Sequence, residues 1–454
     1  MSKSSTSLSE AEYNWSYRIR LWLRQLVTVE PGEMRALIWS FIYFFALLCS
    51  YYIVRPMRDE MGIAGGVNKL HWMFTGTFLV MLAAVPLFGW VAKRYPVSRF
   101  LPYVYYFFIA DLIVFFVLFK SHMTHAYVAR TFFIWASVFN LFIVSVFWSF
   151  MTDIFSDNQA RRLFGVIAAG GTAGALTGPA LTAALVKPLG ASNLLLMSAG
   201  FLAVAVMCIH RIIAWKKSFD ADSDKVGRTS PTKRNAGHER AIGGSIFAGV
   251  RLVFSSSYLI GICFLILLYT TLATFLYFQQ AQIIRDSFDD PAQRTALFAA
   301  MDFSVNFLTL VSQLLLTSRI VRKWGLNWSL ALIPLALGLG FLLLGMMPVL
   351  SVLIVVQVLR RAGNYAVMRP SREMLYVVLG KEEKYKAKNF IDTVVYRGGD
   401  AVSAWVYSGL KAVGFSLAGI ALIAVPLAGV WAWVSFRLGK RQTQLAKSYT
   451  RAGE

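Results

Sequence analysis

Residues 215–245 read WKKSFDADSDKVGRTSPTKRNAGHERAIGGS. No apolar period runs through this stretch. Lys216, Lys217, Asp220, Asp222, Asp224, Lys225, Lys233 and Arg234 are interspersed with Ser, Gly and Pro, the composition of a flexible, solvated linker. It is the longest hydrophilic interruption in the chain. Six apolar runs precede it, at 36–56, 70–92, 100–119, 127–150, 163–186 and 192–214. Six more follow, at 256–278, 295–317, 326–347, 349–369, 388–410 and 412–436. Each matches the roughly 20 residues a helix needs to cross a bilayer. Period-two alternation is absent, which excludes a membrane β-barrel. The expected fold is therefore an all-α membrane protein with twelve transmembrane helices in two six-helix bundles. The bundles occupy 36–214 and 251–437, joined by a linker at 215–250, with an N-terminal segment at 1–35 and a tail at 438–454.

Composition agrees. Of 454 residues, 57% are hydrophobic and only 15% charged, against roughly 25% charged in soluble domains; mean hydropathy is +0.57. Cys49, Cys208 and Cys263 each sit inside an apolar run and read as small buried hydrophobes. His71, His122, His125, His210 and His238 lie in or near loops without metal-ligand spacing, so neither metal nor cofactor is expected. No nucleophile–base constellation suggests an enzyme.

The net charge of +22 admits nucleic acid, acidic lipid or an anionic substrate as partner. Its distribution decides. With the N-terminus placed in the cytoplasm, 33 Lys and Arg fall on inside segments and helix ends, nine fall outside, and Arg360, Arg361 and Arg397 fall within spans. That split follows the positive-inside rule, so the charge orients the chain and a nucleic-acid partner is not needed. A multi-pass protein of a bacterial inner membrane is expected, with both termini cytoplasmic and nothing demanding more than a monomer. Before the first span, Trp15, Ile19, Trp22 and Leu26 oppose Arg18, Arg20 and Arg24, as in a helix lying in the membrane interface.

Charges at membrane depth are costly and usually functional. Arg360 and Arg361 fall near the centre of the tenth run, and Gln357, Arg361 and Asn364 share a helical face. Arg361 is the favoured anion-binding group, with Asn364 beside it; the alternative for either arginine is a pair with a carboxylate on a neighbouring helix. In the eleventh run, Arg397 either pairs with Asp400, three residues on, or binds substrate while Asp400 or Asp392 carries a proton or orients it. Asp302, four residues before Asn306, is a coupling group or the partner of an arginine such as Arg360 or Arg397, and Asp111 is a candidate of the same kind. At the outer end of the first run, Arg58 either lines a vestibule or belongs to a solvated rim. Gly170, Gly174 and Gly178, spaced by four, offer a smooth face for close helix packing.

Six spans, a basic linker and six spans is the layout of the major facilitator superfamily, and several segments resemble more specifically the ATP/ADP antiporter family of plastids and intracellular bacteria, with its free-living bacterial relatives. Tyr52-Ile53-Val54-Arg55-Pro56-Met57-Arg58-Asp59 resembles that family's Y-x-I-L-R-D-x-K-D stretch, with Arg58 at the position of a functional lysine. Phe147-Trp148 and Ser256-Ser257-Tyr258-Leu259 add to the likeness. The strongest match runs from Arg372-Glu373-Met374-Leu375-Tyr376 through Lys384-Tyr385-Lys386-Ala387-Lys388-Asn389-Phe390-Ile391-Asp392, where Lys388 falls on a lysine implicated in transport. The family's span-four glutamate has no counterpart at 136–140, and its acidic residue near the end of span seven falls at 278–280, which here are Phe, Gln and Gln.

The resemblance implies a secondary transporter that moves an organic anion by alternating access, a nucleotide exchanged in ATP/ADP fashion being one cargo. No Walker A loop is present, so ATP would be cargo and not fuel. Arg58, Arg361, Arg397, Lys388 and Asn364 are the expected substrate-binding residues. Asp302, Asp392, Asp400 and Asp111 are the expected coupling or charge-pairing residues. The competing expectation is a proton-coupled exporter of drugs or metabolites, from the partial G-x-x-x-G-P motif at Gly174 to Pro179.

Overall fold

The computed structural model describes residues 29–30, 32–121, 126–225 and 246–452. The amphipathic segment around Trp15 to Leu26 lies outside them, as do His122, His125 and His238. The first half comprises α1 (Met34–Ala64), α2 (Leu70–Arg94), α3 (Val97–Lys120), α4 (Ala126–Ile154), α5 (Asp157–Leu189) and α6 (Ala191–Lys225). The second comprises α7 (Ile246–Ser255), α8 (Ser257–Ser287), α9 (Pro291–Leu315), α10 (Thr317–Met346), α11 (Leu350–Gly363), α12 (Arg369–Leu375), α13 (Lys381–Phe390), α14 (Tyr396–Ala412) and α15 (Leu417–Ala452). Wide π-helical turns, Asn364–Met368 and Ile391–Val395, join α11 to α12 and α13 to α14, so each pair forms one rod. No strand occurs among the described residues.

Eleven helices among the described residues are long and apolar enough to cross a membrane. The expected run at 388–410 is helical too, within the rod from Lys381 to Ala412, but Asp392, Arg397 and Asp400 fall within one short stretch and lower its hydropathy. The linker expectation needs a correction at both ends. Residues 215–225 continue α6 as helix, with neither Pro nor Gly to stop them before Gly227, and Ile246–Ser255 forms a short helix.

Each half builds its own apolar core, one among α1 to α6 and one among α7 to α15. The ends of the helices nearest the linker are here called the linker face and the opposite ends the far face. At the far face the second core takes in Ile63, Leu70, Met73 and Phe133 from α1, α2 and α4, so the halves touch there through apolar contacts.

The glycine stripe of α5 explains how α1 is held. A Cβ at Gly170, Gly174 or Gly178 would lie 2.5, 2.3 or 2.8 Å from the carbonyl oxygen of Phe41, Phe45 or Cys49. Two stripes with a period of four thus meet backbone to backbone, and any side chain on α5 would push α1 away. This packing accounts for the Gly174–Pro179 stretch without reference to cargo. In the second half, Gly439 of α15 meets the backbone of Asn327 on α10 in the same way.

Candidate functional site

Because one face of α1 is committed to α5, another is left to look toward the second half. Tyr51, Arg55 and Arg58, spaced by four and three, share that face. Pro56 lacks the amide that would otherwise bond the carbonyl of Tyr52, which loosens the helix beside Arg55.

Tyr51, Tyr52 and Arg55 form one wall of a cavity of about 540 Å³ between the halves. Asn140 of α4, Asn306, Thr309 and Gln313 of α9, Tyr365 of the π turn, and Arg369 and Glu373 of α12 complete its polar lining. The π turn places Arg369. Over eight residues an α-helix rotates about 800°, which would leave Arg369 about 80° from Arg361; one extra residue in the wide turn brings it back to within about 20°. The carbonyls loosened by that turn are bonded from neighbouring elements: Thr317 Oγ1 donates to the Ala366 carbonyl at 2.9 Å and Gln313 Nε2 to that of Tyr365 at 3.5 Å.

Two guanidinium groups therefore face the cavity. Arg55 Nε stands 3.5 Å from Asp302 Oδ2, a loose ion pair outside hydrogen-bond geometry, and the hydroxyl of Thr309 has no hydrogen-bond partner among the described residues. Buried donors without acceptors are costly, and an anion in the cavity would satisfy them. Glu373 does not cancel the positive field, because Lys388 Nζ holds its Oε2 at 2.5 Å. Arg55 and Arg369 line the cavity with Glu373, and Asp302 lies beside Arg55.

A second, smaller pocket of about 70 Å³ adjoins the first at Asn140, on the far-face side. Arg58, Arg397, Asp400 and Thr77 line it together with Phe74, Phe78 and Phe133. The Arg58 guanidinium lies 4.5 Å from the centre of the Phe133 ring and 3.8 Å from Asp59, a loose pair. Arg397 and Asp400 are 3.6 Å apart.

The residues singled out from sequence are thus distributed unevenly. Arg58, Arg397 and Asp400 come together in the small pocket. Arg361 lines neither cavity: its guanidinium donates to Asp302 Oδ1 at 2.5 Å, so the alternative of a carboxylate partner describes it. Among the described residues Arg360 has no acid partner; it donates to Gln357 Oε1 at 3.0 Å, and Gln357 in turn bonds Gln280 of α8. Asp392 lies 3.5 Å from Arg372 and Lys388 pairs with Glu373, both tying α12 to the following rod. Asn364 lines neither cavity. Asp111 accepts from Trp135 Nε1 at 2.8 Å and belongs to the α3–α4 contact, remote from the site. Sequence reasoning passed over Arg55, Arg369 and the three tyrosines. The spacing of Tyr51, Arg55 and Arg58 was a readable signal for Arg55. For Arg369 none existed, since a regular helix turns it aside.

Polar bonds between the halves cluster toward the far face. Arg294 of α9 makes a two-pronged ion pair with Glu60 of α1, both contacts at 2.8 Å. Tyr277 donates to Asp59 at 3.0 Å, Trp405 to Thr75 at 3.0 Å, and Ser408 bonds His71 at 3.0 Å.

Two helical bundles around a central polar cavity define a membrane transporter, and the chain belongs to the Major Facilitator Superfamily, whose family model matches residues 36–381. The TLC ATP/ADP transporter model matches residues 337–441, which contain Arg361, Arg369, Lys388 and Arg397. Over 91% of its length the chain is 22% identical to ADP,ATP carrier protein 1 of Chlamydia muridarum, 89% of which is covered. ADP,ATP carrier protein 2 of Chlamydia pneumoniae is 24% identical over 41% of this chain and 39% of its own. Among solved structures, a bacterial homologue of the iron transporter ferroportin in an inward-facing state superposes with a TM-score of 0.61 at 13% identity, covering 90% of this chain and 98% of that one. A POT family transporter in complex with a thioalcohol-conjugated peptide gives 0.59 at 14% identity, covering 90% and 97%.

Proposed function

We propose that this transporter moves an organic anion by alternating access, and that the anion is a nucleotide exchanged in ATP/ADP fashion. One observation carries the reading: Arg55 and Arg369 face a shared central cavity, where Arg55 is only loosely paired and the Thr309 hydroxyl is unpartnered among the described residues. Guanidinium groups bind phosphate and carboxylate oxygens in a two-pronged fashion. A cavity of about 540 Å³ lies within the usual 300–1,000 Å³ of small-molecule sites. Tyr51, Tyr52 and Tyr365 offer ring surface, and Asn140, Asn306 and Gln313 offer amides that both donate and accept. The matches to ADP,ATP carriers support the nucleotide over other organic anions.

In this reading the far-face bonds hold the halves closed on one side while cargo exchanges from the linker side. Cargo then favours a state in which those bonds part and the linker-side ends converge. The distribution of Lys and Arg supports a linker face directed to the cytoplasm of a bacterial inner membrane. The test is counterflow of labelled ATP and ADP into proteoliposomes with and without internal nucleotide. Uptake that requires internal nucleotide is expected, and absence of counterflow for every nucleotide sinks the nucleotide assignment. Arg55→Gln is expected to slow transport at least about thirtyfold, because removing one partner of a desolvated charged contact costs about 2–5 kcal/mol. Full activity in that variant removes the assigned site.

A further inference from the structure

Neither α10 nor α15 contains an Asp or Glu, though the two are packed together over much of their length. Their linker-face ends are strongly basic. On α15, Val430, Trp433, Arg437, Lys440 and Lys447 recur at spacings of three, four, three and seven, so they fall on one helical face, and all are exposed. That face changes from apolar to cationic within about one turn, between Trp433 and Arg437. The Arg437 guanidinium lies 4.3 Å from the centre of the Trp433 ring. From α10, Trp328 contacts Phe436 of α15, ring centres 5.1 Å apart. Arg322 and Lys323 stand just before Gly325, whose φ of +75° breaks the helix two residues ahead of the Asn327–Gly439 contact. Arg322, Lys323, Arg437 and Lys440 have no ion-pair partner among the described residues.

We propose that this exposed basic and aromatic face at the linker-face ends of α10 and α15 is a binding site for an anionic phospholipid of the adjoining monolayer. The stack matches such a molecule from tail to head. Exposed Leu335, Leu339 and Val430 border the acyl chains, Trp328 and Trp433 stand at the level of the glycerol, and the four cations meet the phosphate. Tryptophan prefers that interfacial depth, and basic recesses between helices recognise anionic headgroups. Charge required only for orientation needs no acid-free pair of helices and no aromatic floor beneath it.

Native mass spectrometry of the full chain in detergent, titrated with phosphatidylglycerol, diphosphatidylglycerol or phosphatidylcholine, tests the site. The two anionic lipids are expected to be retained and phosphatidylcholine lost. The combined Arg322→Gln, Lys323→Gln, Arg437→Gln and Lys440→Gln variant is expected to bind phosphatidylglycerol at least about tenfold more weakly. A control with Arg99→Gln, Arg161→Gln and Lys217→Gln, exposed at the linker face of the first half, is expected to bind as the unaltered chain does. Arg322→Lys with Arg437→Lys is expected to retain affinity, which separates charge from damage to the fold. Equal weakening in the control, unchanged affinity in the fourfold variant, loss in the lysine variant, or displacement of the lipid by equimolar pyrophosphate would each overturn the proposal.

Discussion

The two faces of the transporter use ion pairs for opposite purposes. Toward the far face, Glu60–Arg294 joins α1 to α9, and Tyr277–Asp59 joins α8 to α1, so charge and hydrogen bonds bridge the halves. At the linker face, Arg162 binds Glu33 and Glu30 within the first half, while Arg372–Asp392 and Lys388–Glu373 stay within the second. In the proposed cycle, charge on one face would decide whether the halves part, while charge on the other ties elements together within each half. Asp302 stands between these regimes, bonded inside its own half by Arg361 and approached across the divide by Arg55.

The largest effect is expected where the comparison is sharpest. Glu60 is almost fully buried and its partner nearly so. Glu60→Gln strands a buried guanidinium, a loss of about 3–5 kcal/mol, and so should open the far face even without cargo. Spin-label distances across the far face, between sites near Ala64 and Pro291, should lengthen; an unchanged distribution removes the clamp from this account. Next comes Asp302→Asn, expected to cost about 2–5 kcal/mol by leaving Arg361 without its buried anion. It should lower the unfolding temperature of the purified protein more than Arg55→Gln does, since Arg55 stays partly exposed to the cavity. Gly174→Ala, which places a Cβ 2.3 Å from the Phe45 carbonyl, should cost about 1–3 kcal/mol by overpacking. Thermal unfolding checks it, and Gly165→Ala, with open space around the glycine, is the matched control. The smallest change is expected from Lys388→Gln. Its pair is half-exposed and worth about 0–1 kcal/mol, so far-face distances should stay as they are while Glu373 is freed to oppose anionic cargo.

The apolar runs made the architecture readable, because immersing some 20 consecutive apolar residues in a bilayer leaves little alternative to a helix. The α5 glycines were equally transparent: a period of four has one geometric meaning on a helix. The site was legible only by parts. Charged residues at membrane depth stood out as residues, but whether Arg361 meets cargo or carboxylate depends on which face of α9 turns toward α11, and no local pattern encodes that. Arg55 was hidden beside Arg58, one turn away and equally basic. Glu60 and Arg294 are far apart in the chain and meet only once the two halves associate.

The wide turn at Asn364–Met368 also bears on how such a chain tolerates change. It holds one residue more than a regular turn, so deleting one residue there restores plain α-helix while Arg361 and Arg369 keep their mutual orientation, about 20° apart as before. The same deletion within Leu350–Gly363 turns Arg361 by about 100° against the residues before it. Two neighbouring segments of similar composition thus differ in the lesions they can absorb, and the segment nearest the cavity is the more forgiving of the two.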